Sequence, residues 1–482
     1  MSHKRKKTKI VATLGPSISS KEMLLKMVEA GVNVFRINFS HADYEDVKTR
    51  IKLIREINQE HGFNASILAD LQGPKLRVGV MKDDVVVAPG DEIIFATGKR
   101  FEGTKNRVFM TYDRFPLDTK KGENILLDDG KLLFEVLSTN LKDEVKTRVI
   151  QGGALKSKKG VNLPNTDISQ PALTEKDKED ALFAINQEVD WMALSFVRNP
   201  EDLIELQALI SEHSSCKIPI IAKIEKPEAV KNIDKIIAYC DGLMVARGDL
   251  GVEIPAHQVP LIQKQLVLKA KKARIPVIIA TQMMESMITS LTPTRAEVND
   301  VANSVMDGAD AVMLSGETSV GQYPVQVIEK MSNIIKTVEN SNLINVPQNP
   351  PQIRTKRYIT KSICFHAANM ANEINARAIF TLTNSGYTAF QISAWRPDAH
   401  ILVFSSNRRI ISQLNLLWGV RAFYYDKFAS TDETINDVNK IAYEKGYVES
   451  EDMVISLAAM PMKEKGMVNT LRVSEIKDYS KS

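Results

Sequence analysis

Residues 219–249 read PIIAKIEKPEAVKNIDKIIAYCDGLMVARGD. Two short apolar runs, 219–225 (PIIAKIE) and 242–247 (GLMVAR), flank an amphipathic segment, 227–239, that reads as helix. Each run ends in charge: Lys223 and Glu225 on the first, Arg247 and then Asp249 on the second. A strand that is apolar on both faces belongs in a parallel sheet with both sides covered. The stretch therefore predicts a strand–helix–strand unit whose strands carry charge at their carboxyl ends.

The same texture recurs on both sides. Apolar runs appear at 9–13 (KIVAT), 33–40 (NVFRINFS), 66–70 (SILAD), 191–196 (WMALSF), 276–281 (PVIIAT) and 311–315 (AVMLS), giving eight candidate strands in all. Amphipathic segments at 20–30, 44–60, 260–273 and 295–306 separate them. Eight such units predict an α/β fold of the closed (β/α)8 barrel type. A doubly wound open sheet is the structural rival, and the count of eight favours the barrel.

Between the third and fourth strands the texture changes. Residues 78–170 carry turn signals at Pro89-Gly90-Asp91, Lys121-Gly122-Glu123, Asp129-Gly130-Lys131 and Gln151-Gly152-Gly153, with strand-like runs at 92–96 and 132–137. This predicts an all-β domain inserted at the barrel mouth as a lid. After a proline-rich linker at 347–351, a helix at 360–372 and strands at 378–382, 401–404, 422–425, 453–457 and 470–473 predict a further α/β domain. The expected division is residues 1–77 and 171–345 for the barrel, 78–170 for the lid and 346–482 for the C-terminal domain.

Composition is that of an ordinary globular protein. Of 482 residues, 44% are hydrophobic, 25% charged and 6% aromatic. A net charge of +4 gives no case for a nucleic-acid partner, and no window approaches a membrane span. The basic run 4–7 reads as a solvated tail. The three cysteines, Cys216, Cys240 and Cys364, are an odd, dispersed set read as small core residues in a reduced cytoplasm.

The active site of such a barrel forms at the strand carboxyl ends. These offer Arg36, Asn38 and Ser40; Asp70 followed by Arg77; Lys223 and Glu225; Arg247, Gly248 and Asp249; Thr281 and Gln282; Ser315 and Glu317. Singly, each reads equally as an ion pair or a helix cap. Together they are costly to bury unless they pair or bind a charged ligand. Asp249 and Glu225, on adjacent strands, suit Mg²⁺. Lys223 lies two residues from Glu225, on the same side of its strand. Arg36 and Arg77 are forks for phosphate oxygens, and Gly248 lets backbone amides approach a small anion. This is the equipment of phosphoryl transfer. No GxxxxGK[ST] loop or paired-glycine dinucleotide motif occurs.

The chain resembles the pyruvate kinase family over nearly its whole length. The resemblance rests on KIVATLGP (9–16), FRINFSH (35–41), DLQGPKLR (70–77), KKGVNLP (158–164), IAKIEKPE (221–228), MVARGDLGVEIP (244–255), ATQMMESM (280–287), PTRAEVNDVANSVMDGADAVMLSGET (293–318) and NTLRV (469–473). It implies transfer of a phosphoryl group from phosphoenolpyruvate to ADP, with Mg²⁺ or Mn²⁺ on Glu225 and Asp249. Lys223 would stabilise the transferring group and Arg36 would contact the phosphate. Gly248, Asp249 and Thr281 would surround the substrate carboxylate, and Arg77, His41 and Asn38 would lie toward the nucleotide. Asn38, Ser40, Asp70 and the carbonyl of Leu71 correspond to a potassium site. Thr281 and Ser315 stand where protons could be relayed. A homotetramer is also implied.

Three departures stand out. Lys75 occupies the position of a Glu in potassium-dependent members, so its ammonium is expected to replace K⁺. Asn199 stands where many relatives have Lys, and Val320 replaces a Lys common in animal forms of the family; both changes remove positive charge near the expected nucleotide. The effector-loop candidates are Thr383, Ser385, Gly386 and Thr388 within LTNSGYTA (382–389), with Tyr387 in place of a basic residue. The rival readings are a metal-dependent barrel aldolase or lyase, and a non-catalytic binding protein.

Overall fold

The computed structural model describes residues 5–82, 85–164, 166–341, 343–344, 350–351, 357–427, 430–460 and 467–479. Eight parallel strands close into a barrel: β1 (Lys9–Thr13), β2 (Val34–Asn38), β3 (Ser66–Asp70), β4 (Trp191–Leu194), β5 (Ile220–Ile224), β6 (Gly242–Ala246), β7 (Val277–Ala280) and β8 (Ala311–Leu314). They are hydrogen-bonded in the order β1-β8-β7-β6-β5-β4-β3-β2, with β1 also pairing β2. Alternation along each strand sets two apolar layers. Val11, Val34, Leu68, Ile221, Met244 and Ile278 fill the barrel interior, while Ile10, Phe35, Ile67, Ile220 and Ile279 face the helices. The next inward positions after Val34, Leu68 and Ile221 are Arg36, Asp70 and Lys223, so a charged layer sits directly on the apolar plug.

Helix starts follow capping chemistry. Ser20 and Asp43 accept from backbone amides of the helices they precede, and Thr174, Asn199 and Thr294 form reciprocal capping boxes with Asp177, Asp202 and Glu297. Two expectations shift. The 227–239 segment forms two short helices, Pro227–Lys231 and Ile233–Ile237, broken at Asn232, whose side chain donates to the Arg198 carbonyl at 3.0 Å. The runs expected to end at Phe196 and Thr281 stop earlier, because both residues turn to positive φ (55° and 69°) and leave the strand.

The segment inserted between β3 and β4 forms a six-stranded sheet in the order Val161–Asn162, Asn124–Leu127, Leu132–Thr139, Glu144–Gln151, Glu92–Ala96 and Arg107–Phe109. A two-stranded ladder of Val85–Val87 with Gly153–Leu155 accompanies it. Phe95, Phe115 and Phe134 anchor its core. Its root is tied by an Arg77–Gly160 bridge and by Arg198, which donates to the carbonyls of Ile168 and Gln170.

The C-terminal sheet holds β9 (Ala378–Leu382), β10 (His400–Ser405), β11 (Val420–Tyr424), β12 (Met453–Ala458) and β13 (Thr470–Glu475) in the order β11-β10-β9-β12-β13, with β13 antiparallel. It closes the amino end of the barrel. Leu416 is fully buried within the barrel's interior cluster, and the Trp191 indole donates to the Gln413 carbonyl at 3.0 Å.

The basic run is not a solvated tail. Lys4 lies outside the described residues, but Lys6 is buried and donates to Asn33 at 2.6 Å. Lys7 donates to the Pro397 and Asp398 carbonyls, and Glu339 accepts the amides of Lys7 and Thr8. Carbonyls and one carboxylate of neighbouring elements supply acceptors that solvent would otherwise provide. Cys216 is exposed rather than core, being in the loop after the Pro200–His213 helix; Cys240 and Cys364 are buried. The 347–351 linker lies mostly outside the described residues, only 350 and 351 being among them.

Candidate active site

The charged layer forms one connected network. Arg36 Nε donates to Asp70 Oδ2 at 2.6 Å, and its Nη1 donates to Thr13 Oγ1 at 3.1 Å. The Lys223 ammonium lies 3.1 Å from Asp70 Oδ1 and 3.0 Å from Glu225 Oε1, and donates to Ser195 Oγ at 2.6 Å. Glu225 Oε2 accepts the Phe196 amide at 2.7 Å. The Asn38–Asp70 register pair and the period of two along β5 produce this convergence.

Burial and pairing set the protonation of these groups. Burial would strip the Lys223 proton, but Asp70 and Glu225 opposite it outweigh that and keep it firmly charged. Burial likewise pushes the Asp70 carboxyl up, yet Lys223 and Arg36 hold it below the usual range. Glu225 ends raised: burial, with Asp249 and Asp70 nearby, outweighs Lys223 and the Phe196 amide. A carboxylate short of positive charge, beside a second carboxylate, is a fitting donor pair for a hard divalent cation. Among the described residues no group of three or more His, Cys, Asp or Glu is arranged to hold a metal ion.

Asp249 sits on the helix Arg247–Glu253 that follows β6 and lines two clefts. One, of about 780 Å³, also includes Gly248, Arg247 and Gln282; the other, of about 50 Å³, runs under the lid past Lys75, Asp129 and Asn162. Thr281 accepts the Gly248 amide at 2.7 Å and donates to the Ala280 carbonyl at 2.6 Å. A β-branched residue at φ 69° is strained, and so is Gln282 after it at 55°. Arg247 braces this turn through the Thr281 carbonyl at 2.9 Å and Asp300 at 2.6 Å.

Other expected residues lie outside the network or, like Leu71, join it only through Ser195. Arg77 donates to the Lys158 carbonyl at 3.1 Å, at the lid root. Asn38 caps the short helix Phe39–His41 by accepting the Ser40 amide, and the His41 side chain is not among those described. The Leu71 carbonyl accepts Ser195 Oγ at 2.7 Å. Lys75 is exposed at the rim of the smaller cleft. The Ser315 amide donates to Glu317, which also accepts the Met284 amide, so Glu317 is a buried scaffold for two site loops. Asn199 is a helix cap, and Val320 is exposed. In the 382–389 loop, Ser385 is exposed, the Gly386 amide donates to Thr383, and Thr388 is buried against Thr381 at 2.8 Å.

Sequence reasoning missed Ser195, which bridges Lys223 to the Leu71 carbonyl, and the buried pair of Lys226 and Glu253 at 2.7 Å. Glu253 follows Asp249 by four residues in one helix, a spacing that puts both on one face and could have flagged it.

Fold and site together define a (β/α)8 enzyme whose barrel mouth presents paired cations and carboxylates to a small anionic substrate. The pyruvate kinase barrel-domain family matches residues 5–328, and the pyruvate kinase alpha/beta-domain family matches residues 361–474. Pyruvate kinase 2 of Synechocystis is 42% identical over 478 residues, covering 98% of this chain and 80% of that protein. Pyruvate kinase of Corynebacterium glutamicum is 42% identical over 473 residues, covering 98% of each. A crystal structure of a pyruvate kinase from Cryptosporidium parvum superposes with a TM-score of 0.91 at 32% identity, covering 98% of this chain and 96% of that one. The chain belongs to the pyruvate kinase family. It is a phosphotransferase that moves the phosphoryl group of phosphoenolpyruvate to ADP, giving ATP and pyruvate. The aldolase or lyase reading is not favoured.

Proposed function

We propose that phosphoryl transfer takes place over the Arg36–Asp70–Lys223–Glu225 layer, with Glu225 and Asp249 holding Mg²⁺ or Mn²⁺. The observation that carries this reading is the Lys223 ammonium, held charged between two carboxylates at 3.1 and 3.0 Å on the floor of the barrel mouth. Arg36, oriented by Asp70, offers its remaining N–H groups to the phosphate of phosphoenolpyruvate. Lys223 donates to the phosphoryl oxygens as an ADP oxygen attacks phosphorus and the bond to the enolate oxygen breaks. A bound divalent cation would add Lewis-acid neutralisation of the same oxygens. Gly248 and Thr281 hold the substrate carboxylate end, and the Thr281 and Ser315 hydroxyls relay a proton to the enolate carbon. Arg77 and Asn38 face the nucleotide, with His41 a further candidate for nucleotide binding, and the lid excludes water.

Lys75 replaces the monovalent cation expected near Asn38, Ser40, Asp70 and the Leu71 carbonyl, so turnover does not require K⁺. Exposed Leu261, Leu268, Leu291 and Val298, on or beside the helices that follow β6 and β7, support self-association as a homotetramer. Free cysteines, and no helix among the described residues long and apolar enough to cross a membrane, support a cytoplasmic location. A phosphorylated effector would meet the 382–389 loop at Thr383, Ser385 and Gly386.

The test is steady-state formation of pyruvate from phosphoenolpyruvate and ADP with Mg²⁺, by the native chain and by Lys223→Met. Native turnover with a loss confined to kcat in the variant is expected. No pyruvate from the native chain, or unchanged kcat in the variant, overturns the assignment.

A further inference from the structure

Beside the network lies a second buried ion pair that the reaction scheme above does not use. Lys226 Nζ meets Glu253 Oε1 at 2.7 Å, with both side chains less than a tenth exposed. Asn162, from the lid strand Val161–Asn162, donates its Nδ2 to the same oxygen at 2.9 Å. Glu253 Oε2 is buried without a hydrogen-bond partner, so Glu253 relies on this one shared oxygen.

The position of the pair is informative. Lys226 directly follows Glu225, where β5 ends and the helix Pro227–Lys231 begins. Glu253 lies one helical turn after Asp249, on the same face of Arg247–Glu253. The bond therefore joins the two elements that carry the two metal-site carboxylates, at the residues next in line behind them. Asn162 adds a third element, the lid. All three side chains line the cleft that also contains Asp249.

We infer that Lys226, Glu253 and Asn162 form a strut that fixes the separation of Glu225 from Asp249 and ties the lid to it. They are positioning residues for the divalent centre. This rests on Glu225 and Asp249 being the metal ligands, as proposed above. Groups that orient first ligands alter metal affinity by roughly 10–100-fold when removed. Simple charge bookkeeping makes the opposite demand for Lys226: deleting a cation near the site should tighten metal binding.

The experiment measures free Mn²⁺ by electron paramagnetic resonance during titration of the full-length chain, without substrates. Lys226→Met is expected to weaken Mn²⁺ binding about tenfold. Because it strands a buried carboxylate, the double change Lys226→Met/Glu253→Met is run beside it. That variant removes both charges together, a replacement of a buried ion pair that is often neutral for stability. It leaves net charge unchanged, so electrostatics alone predicts no effect, whereas loss of the strut predicts weakening of about tenfold. Asn162→Ala, which removes only the lid's tie, is expected to weaken binding about threefold. Tighter binding in Lys226→Met, or native affinity in the double variant, overturns the inference; native affinity in Asn162→Ala overturns the lid's part. Glu225→Gln and Asp249→Asn separate the two levels. If Mn²⁺ still binds these as it binds the native chain, the ligand assignment itself is wrong. If they abolish binding while the double variant binds normally, only the strut is wrong.

Discussion

Asp70 aligns two cations at once: its Oδ2 holds Arg36 at 2.6 Å, and its Oδ1 lies 3.1 Å from the Lys223 ammonium. The two contacts run to different carboxylate oxygens, so each cation has its own acceptor. A side chain 1% exposed thereby sets the geometry of both groups proposed to meet the phosphoryl oxygens.

Asp70→Asn keeps the shape but removes the charge. Breaking a buried pair this way costs on the order of 3 kcal/mol of stability. The KM for phosphoenolpyruvate should rise and kcat/KM should fall about 100-fold, since Arg36 and Lys223 lose their alignment. Chemical denaturation and steady-state kinetics measure the two effects; native kcat/KM would rule out the aligning role.

Lys223→Met should act on turnover. Loss of one preorganised donor to a charge that develops in the transition state lowers kcat by about 10²–10³. Mn²⁺ binding should survive, because Glu225 and Asp249 remain. Titration of the variant with Mn²⁺ beside its kcat checks both halves.

Lys75→Glu should convert the enzyme to K⁺ dependence. The native chain is expected to run at equal rates in tetramethylammonium and in K⁺ buffers, and the variant to gain about tenfold or more on adding K⁺, a charge now needed where the ammonium was. Equal rates for the variant in both buffers would remove Lys75 from the cation site.

Lys271 predicts a pH effect on stability. Its ammonium is buried beside Arg396 without a hydrogen-bond partner; burial first, then Arg396, push its pKa down to about 7, against a smaller pull from Asp310. The unfolded chain holds this proton up to about pH 10.5 and the folded chain releases it near 7, so stability rises with pH across that window and is flat below it. Lys6, also pushed to about 7, adds in the same direction. Lys271→Met should stabilise the protein at pH 7 by on the order of 2 kcal/mol and reduce the slope between pH 7 and 10, read from denaturation midpoints.

The barrel was legible because its strands are apolar on both faces and end in charge. Ile221, Lys223 and Glu225 show by spacing alone that an apolar position is followed on the same side by an amine and a carboxylate. What escaped depends on distant partners. Ser195 is an ordinary serine until Lys223 and the Leu71 carbonyl are seen on either side of it. Lys6 looks like a tail residue until Asn33 and the C-terminal domain enclose it. Asn232 breaks a helix that periodicity alone would continue, because Arg198 offers its side chain a carbonyl. Leu416 gives no hint in sequence that it plugs a barrel more than a hundred residues upstream.

The lower end of β1 is completed by residues encoded far downstream: Lys9 donates to the Val420 carbonyl at 2.7 Å, and the Gly419 amide donates to the Lys7 carbonyl at 2.9 Å. During synthesis these lysines emerge from the ribosome several hundred residues before their partners. The floor of the barrel can therefore be completed only after the C-terminal domain has been synthesised.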